Sequence, residues 1–132
     1  PAGGESADLQ ADRVAIGEVR TPKERIMTKV RITVVKLPIH EDLVDRYIKN
    51  ARYPHGFGPC PLWTLGQQFE IEDWPSMPED FPCDWAWSDI QRDVAMVMFG
   101  ANPPWMNSPG QALTCCTDGF RPVSFLVERI EP

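Results

Sequence analysis

The chain predicts an α+β fold: a mainly antiparallel sheet with two helices packed on it, in the order β-α-β-α-β-β. Three observations predict it. Lys29 to Leu37 alternates apolar and polar residues with a period of two. Trp85 to Phe99 sets Ala86, Ile90, Val94, Val97 and Met98 on one helical stripe. Near the C-terminus, two strand-like runs flank Asp118-Gly119, a dipeptide suited to a tight hairpin turn. Whether the sheet stays open or curls into a barrel-like form is left undecided by this pattern.

Each element has its own signal. Residues 1–12 are polar and lack periodicity, and Met27-Thr28-Lys29-Val30 reads as a natural start. Residues 1–26 are therefore taken as an N-terminal extension, or arm, and residues 27–132 as a single domain. Within the extension, Arg13 to Arg20 alternates like a strand and Thr21-Pro22 suits a turn. It is expected either to form a hairpin with the next strand or to lie on a neighbouring copy in a homo-oligomer. In the first strand Val30, Ile32 and Val34 share one face and Lys29, Arg31 and Thr33 the other; Pro38 ends it. Glu41 to Asn50 reads as a short helix, with Leu43, Val44, Tyr47 and Ile48 on one side and Asn50 as its cap. A Gly- and Pro-rich loop follows. Gln67 to Glu72 is the second strand, with Phe69 and Ile71 inward. Asp84 suits the N-cap of the second helix and Gly100 the position past its end. Its Asp89, Arg92 and Asp93 are expected to face water. Ala112 to Thr117 and Phe120 to Glu131 are the last two strands.

Composition narrows the partners. The net charge of −6 disfavours nucleic acid, because an acidic surface repels phosphate backbones. The basic residues Lys23, Arg25, Lys29 and Arg31 sit among acids and read as a solvated strand face. No apolar run approaches the roughly 20 residues that span a bilayer, so no membrane partner is expected. The first residues show neither a basic n-region nor an apolar h-region, and a cytoplasmic location is the default expectation. In such a compartment the four cysteines are expected as free thiols, metal ligands or core residues rather than disulfides.

Those thiols are the chain's most reactive groups. Cys83 precedes the second helix, whose positive end favours a nucleophile or a metal ligand. Cys60 lies between Pro59 and Pro61, close to His55. Cys115 and Cys116 are neighbours in a strand and point to opposite faces. A two-residue loop at Asp118-Gly119 puts Cys116 opposite Arg121, on the face of Val123, Phe125 and Val127. It also puts Cys115 opposite Pro122, which has no N–H for the ladder, so a bulge or longer turn is the alternative. Which thiol faces the core stays open. No pair forms the C-x-x-C knuckle of structural zinc sites. Arg121 suits either an anionic ligand or an ion pair with Asp118 or Glu128. Four of the five tryptophans, Trp74, Trp85, Trp87 and Trp105, fall in a proline-rich stretch suited to a pocket wall.

The segments Val30-Arg31-Ile32-Thr33-Val34, Gly58-Pro59-Cys60-Pro61, Cys83-Asp84-Trp85-Ala86-Trp87, Pro104-Trp105-Met106 and Cys115-Cys116-Thr117-Asp118-Gly119-Phe120-Arg121-Pro122-Val123 resemble a family of small prokaryotic proteins of about one hundred residues. The resemblance runs from Met27 to Pro132 and implies a stand-alone domain, with no activity attached.

Three functions fit these observations. The favoured one is a binding or accessory module for a small molecule, its pocket walled by Cys60, Cys83, Trp85, Trp105, Cys116 and Arg121. The second is a thiol- or transition-metal-dependent enzyme using Cys83, with metal ligands drawn from Cys60, Cys83, Cys115, Cys116 and His55. The third is an interaction protein assembled through the extension and the tryptophan-rich surface.

Overall fold

Val30, Ile32 and Val34 are wholly shielded from solvent, and their strand, β1 (Lys29–Lys36), lies inside the sheet. The computed structural model describes residues 28–49 and 56–130. The other elements are α1 (Glu41–Tyr47), β2 (Gln68–Glu72), α2 (Asp84–Met98), β3 (Gln111–Cys115) and β4 (Ser124–Ile130). The domain is α+β, with four antiparallel strands in the order β2-β1-β4-β3. The sheet is open. A barrel would pair β2 with β3, and they stand at opposite edges.

The core lies on one face of the sheet. Phe69 and Ile71 of β2, Ala112 of β3, and Phe125 and Val127 of β4 join the β1 stripe there. Over them α2 lays Ala86, Trp87, Ile90, Val94, Val97 and Met98. Trp63 and Phe81, both from loops, fill the remaining space; each ring centroid lies 5.0 Å from the other, and Trp63 lies 5.0 Å from Phe125. Such edge-on aromatic contacts add to the burial of the rings themselves. On the other face Lys29 pairs with Glu72 at 3.2 Å and Glu70 at 3.7 Å, and Arg31 pairs with Glu70 at 3.2 Å. The hydrogen bond to Glu72, and then the charges of Glu72 and Glu70, raise the Lys29 ammonium above its ordinary value.

Only α2 packs as a core helix. α1 buries no residue, and its Leu43 and Tyr47 are exposed. Its seven residues are too few to carry a continuous apolar stripe. It is tied instead by the His40 N–H, which donates to the Phe120 carbonyl at 2.8 Å. Its C-cap is Ile48; Asn50, expected there, lies outside the described residues.

β1 has no free edge. β2 pairs with it from Lys29 to Thr33, and β4 from Lys29 to Lys36. Both edges of β1 are thus occupied by described strands. Residues 1–26 themselves, with the strand expected at Arg13 to Arg20, lie outside the described residues. Among the described residues no helix is long and apolar enough to cross a membrane.

Both halves of α2 are fixed to the sheet by polar side chains. At its C-terminal end Arg129 of β4 donates from Nη1 to the carbonyls of Val97 (2.7 Å) and Ala101 (3.2 Å), and from Nη2 to Asn102 Oδ1 (2.6 Å). Asn102 Oδ1 also accepts from the Gly110 N–H at 2.7 Å. A cation suits this position because carbonyls at a helix end lack partners and carry partial negative charge. Gly100 turns the chain away with φ +108°, which a side chain would strain. Replacement of Arg129 by Ala should cost about 2–3 kcal/mol in denaturant unfolding, because several charge-assisted bonds vanish at once. Arg129→Lys should recover only part of this, since one ammonium cannot reproduce the planar fork.

Candidate functional site

Cys83, not Asp84, is the N-cap of α2. Its backbone is extended (φ −144°, ψ 115°), and its Sγ accepts from the Ala86 N–H at 3.4 Å. Asp84 moves one place inward, into the first turn, where a carboxylate still faces the positive end of the dipole. The one-residue shift leaves the apolar stripe unchanged.

The connection between β3 and β4 is longer than Asp118-Gly119 suggested. β3 ends at Cys115 and β4 begins at Ser124, opposite each other in the ladder. The Asp118 carboxylate holds the intervening chain: Oδ1 accepts from the N–H groups of Phe120 (3.0 Å) and Arg121 (3.3 Å), and Oδ2 from Arg121 Nε (3.1 Å). This side-chain turn replaces a two-residue hairpin, and it keeps Pro122 out of the ladder, where it has no N–H to give. Cys116 therefore lies across from Val123 rather than Arg121. The Cys116 N–H donates to the Val123 carbonyl at 3.0 Å, and the Val123 N–H donates to Cys116 Sγ at 3.2 Å. The register differs by two residues, so the faces are unchanged. Cys116 is buried with Val123, Phe125 and Val127, and Cys115 is exposed.

The N-terminal half of α2 is clamped to this connection. Asp89 Oδ2 accepts from both the Thr117 N–H (2.8 Å) and Thr117 Oγ1 (2.9 Å). One helical turn on, Asp93 Oδ2 accepts from Thr114 Oγ1 at 2.7 Å. These two acids, expected to face water, instead bind the helix to β3 and to the connection that follows it.

Between the start of α2, the β3–β4 connection and the loop around Cys60 lies a cavity of about 430 Å³. That volume falls in the range of small-ligand sites. Cys60, Cys83 and Cys116 line it from three separate segments, with Trp85 and Arg121. The other expected pocket residue, Trp105, does not. It is exposed in the loop joining α2 to β3, beyond the opposite end of a helix about 22 Å long. Trp63, Leu62 and Phe120 supply apolar wall that sequence reasoning missed. Trp63 and Leu62 follow Cys60 in a proline-rich loop without periodicity, so nothing marked them as inward. Arg121 is held twice, by Asp118 and by its guanidinium lying 4.2 Å from the Phe57 ring centroid. Phe57 also meets Phe120 edge-on at 5.7 Å.

The expected metal ligands do not come together among the described residues. Among the described residues no group of three or more His, Cys, Asp or Glu side chains is placed to hold an ion. Cys115 is exposed while Cys116 is buried, so the pair cannot serve one centre, and His55 lies outside the described residues. The sulfurs of Cys83 and Cys116 already accept backbone hydrogen bonds.

Comparison with protein-family models, curated proteins and solved structures finds no match.

Replacing Asp89 by Ala should remove two bonds at once and destabilise the domain by about 1.5–3 kcal/mol. Hydrogen exchange at the Thr117 amide should then speed up while the Val127 amide of central β4 changes far less. Asp118 generates a pH dependence. Burial pushes its carboxyl up, but the Phe120 N–H, the Arg121 side chain and the Arg121 N–H outweigh this, and the net displacement is downward. A carboxyl lowered by folding stabilises the native state above its unfolded value and loses that contribution as pH falls through its folded value. Asn keeps the amide acceptor but not the charge. The stability gap between wild type and Asp118→Asn should therefore hold at under about 1 kcal/mol near neutrality and close below about pH 4 in acid unfolding.

Proposed function

We propose that the domain is a binding module for a small molecule, and that its ligand occupies the cavity at the start of α2. The observation that carries this reading is the meeting of Cys60, Cys83 and Cys116, from three distant segments, on one hollow of ligand size. The walls favour a flat, largely apolar and uncharged ligand. Trp63, Phe120 and the exposed Trp85 offer ring faces. The charged groups are already engaged: Arg121 with Asp118, and Asp89 with Thr117. A fully anionic ligand would meet both carboxylates, so the cavity disfavours it.

Gly119 provides the test. It lines the cavity, and a Cβ built on it meets nothing within 4 Å. A larger side chain there adds bulk without a clash at its base. A neutral aromatic fluorophore, N-phenyl-1-naphthylamine, should bind wild type with one site per chain. Gly119→Phe should weaken binding about tenfold or more, with the thermal midpoint unchanged. Equal binding to both proteins sinks the reading.

A further inference from the structure

We infer that the cavity takes flat α,β-unsaturated carbonyl compounds and that Cys83 adds to their β carbon. The inference rests on the ligand reading above and names its substrate class. Among the three cavity thiols the geometry singles out Cys83. Cys116 is the most buried of the three. Cys60 is half-buried against the core and caps no helix. Cys83 is also half-buried, but it caps a 15-residue helix and lines the cavity. Reactive cysteines collect at such helix starts, where the dipole and unpaired N–H groups favour a nucleophile.

The same corner supplies what the addition needs. The cysteine proton leaves to water, and the sulfur electron pair forms a C–S bond to the β carbon. The C=C pair shifts to leave negative charge on the carbonyl oxygen, and the α carbon then takes a proton from water. Thiol and alkene become a thioether, with no oxidant, reductant or leaving group. Developing charge on the oxygen calls for donors. The N–H groups of Asp84 and Trp85, in the first turn of α2, have no hydrogen-bond partner among the described residues. Trp85 lines the cavity and offers its ring to a flat acceptor.

The experiment uses the full chain and two probes of one shape. N-phenylmaleimide carries the reactive double bond; N-phenylsuccinimide lacks it. Adducts are located and timed by peptide mass spectrometry, and non-covalent binding is followed by tryptophan quenching. The expected result is an adduct at Cys83 forming at least about tenfold faster than at Cys115, although Cys115 is the exposed thiol. Excess N-phenylsuccinimide should slow Cys83 and leave Cys115 untouched. Cys83→Ser keeps an acceptor for the Ala86 N–H, so the helix start is retained while the fast adduct disappears. Saturable binding of N-phenylsuccinimide with Cys83 no faster than Cys115 overturns the covalent step and leaves the ligand reading standing. Absence of both binding and protection overturns the ligand reading as well.

Discussion

The structure depends on the commitment of β1 on three sides. Its two edges are paired, by β2 and β4, and one face is wholly buried. Burying a Val or Ile side chain contributes about 1.5–3 kcal/mol, and three in alternation leave a register slip no tolerable alternative. From that strand the rest follows. β4 carries Phe125 and Val127 to the same face, β3 adds Ala112, and α2 must cover them. Asp89 and Asp93 then fix the helix to the β3–β4 connection and to β3, while Arg129 holds its last carbonyls. The cavity lies at the remaining corner, where three segments meet without filling the space between them.

Much of this was legible where burial imposes a period. β1, β2 and α2 each repeat apolar residues at the spacing of their own geometry, so their inward faces could be read directly. The inward face of Cys116 was among the readings left open. It follows from parity: the true register differs from the two-residue loop by an even number of positions, and the face survives such a shift. Local signals misled where tertiary bonds decided the matter. Asp118-Gly119 reads as a tight turn, yet the Asp118 carboxylate organises a longer one. Asp89 and Asp93, four apart on a polar stripe, look solvated because their partners Thr117 and Thr114 lie on another element. α1 shows helical spacing, but spacing alone does not say whether anything covers it.

The candidate site was legible only in part. Residue type flagged the thiols, Trp85 and Arg121, because each has chemistry or shape unusual in a loop or helix start. Convergence is a property of topology and could not be read from one dimension. Trp105 shows the difference: it shares the aromatic and proline-rich surroundings of Trp85, but the length of α2 separates them. Cys115 shows it at shorter range, since one peptide unit moves a thiol from the interior to the opposite side of the strand.

The order of the strands has a last consequence, for self-association. The two longest, of eight and seven residues, occupy the middle, and the two five-residue strands form the rims. Brief rims give a stray chain little backbone to template on, and β2 further alternates its outward positions as Glu70 and Glu72. Among the described residues, then, the valine- and isoleucine-rich β1 is sequestered with both edges already paired. The fold shelters its longest strand by placing it innermost.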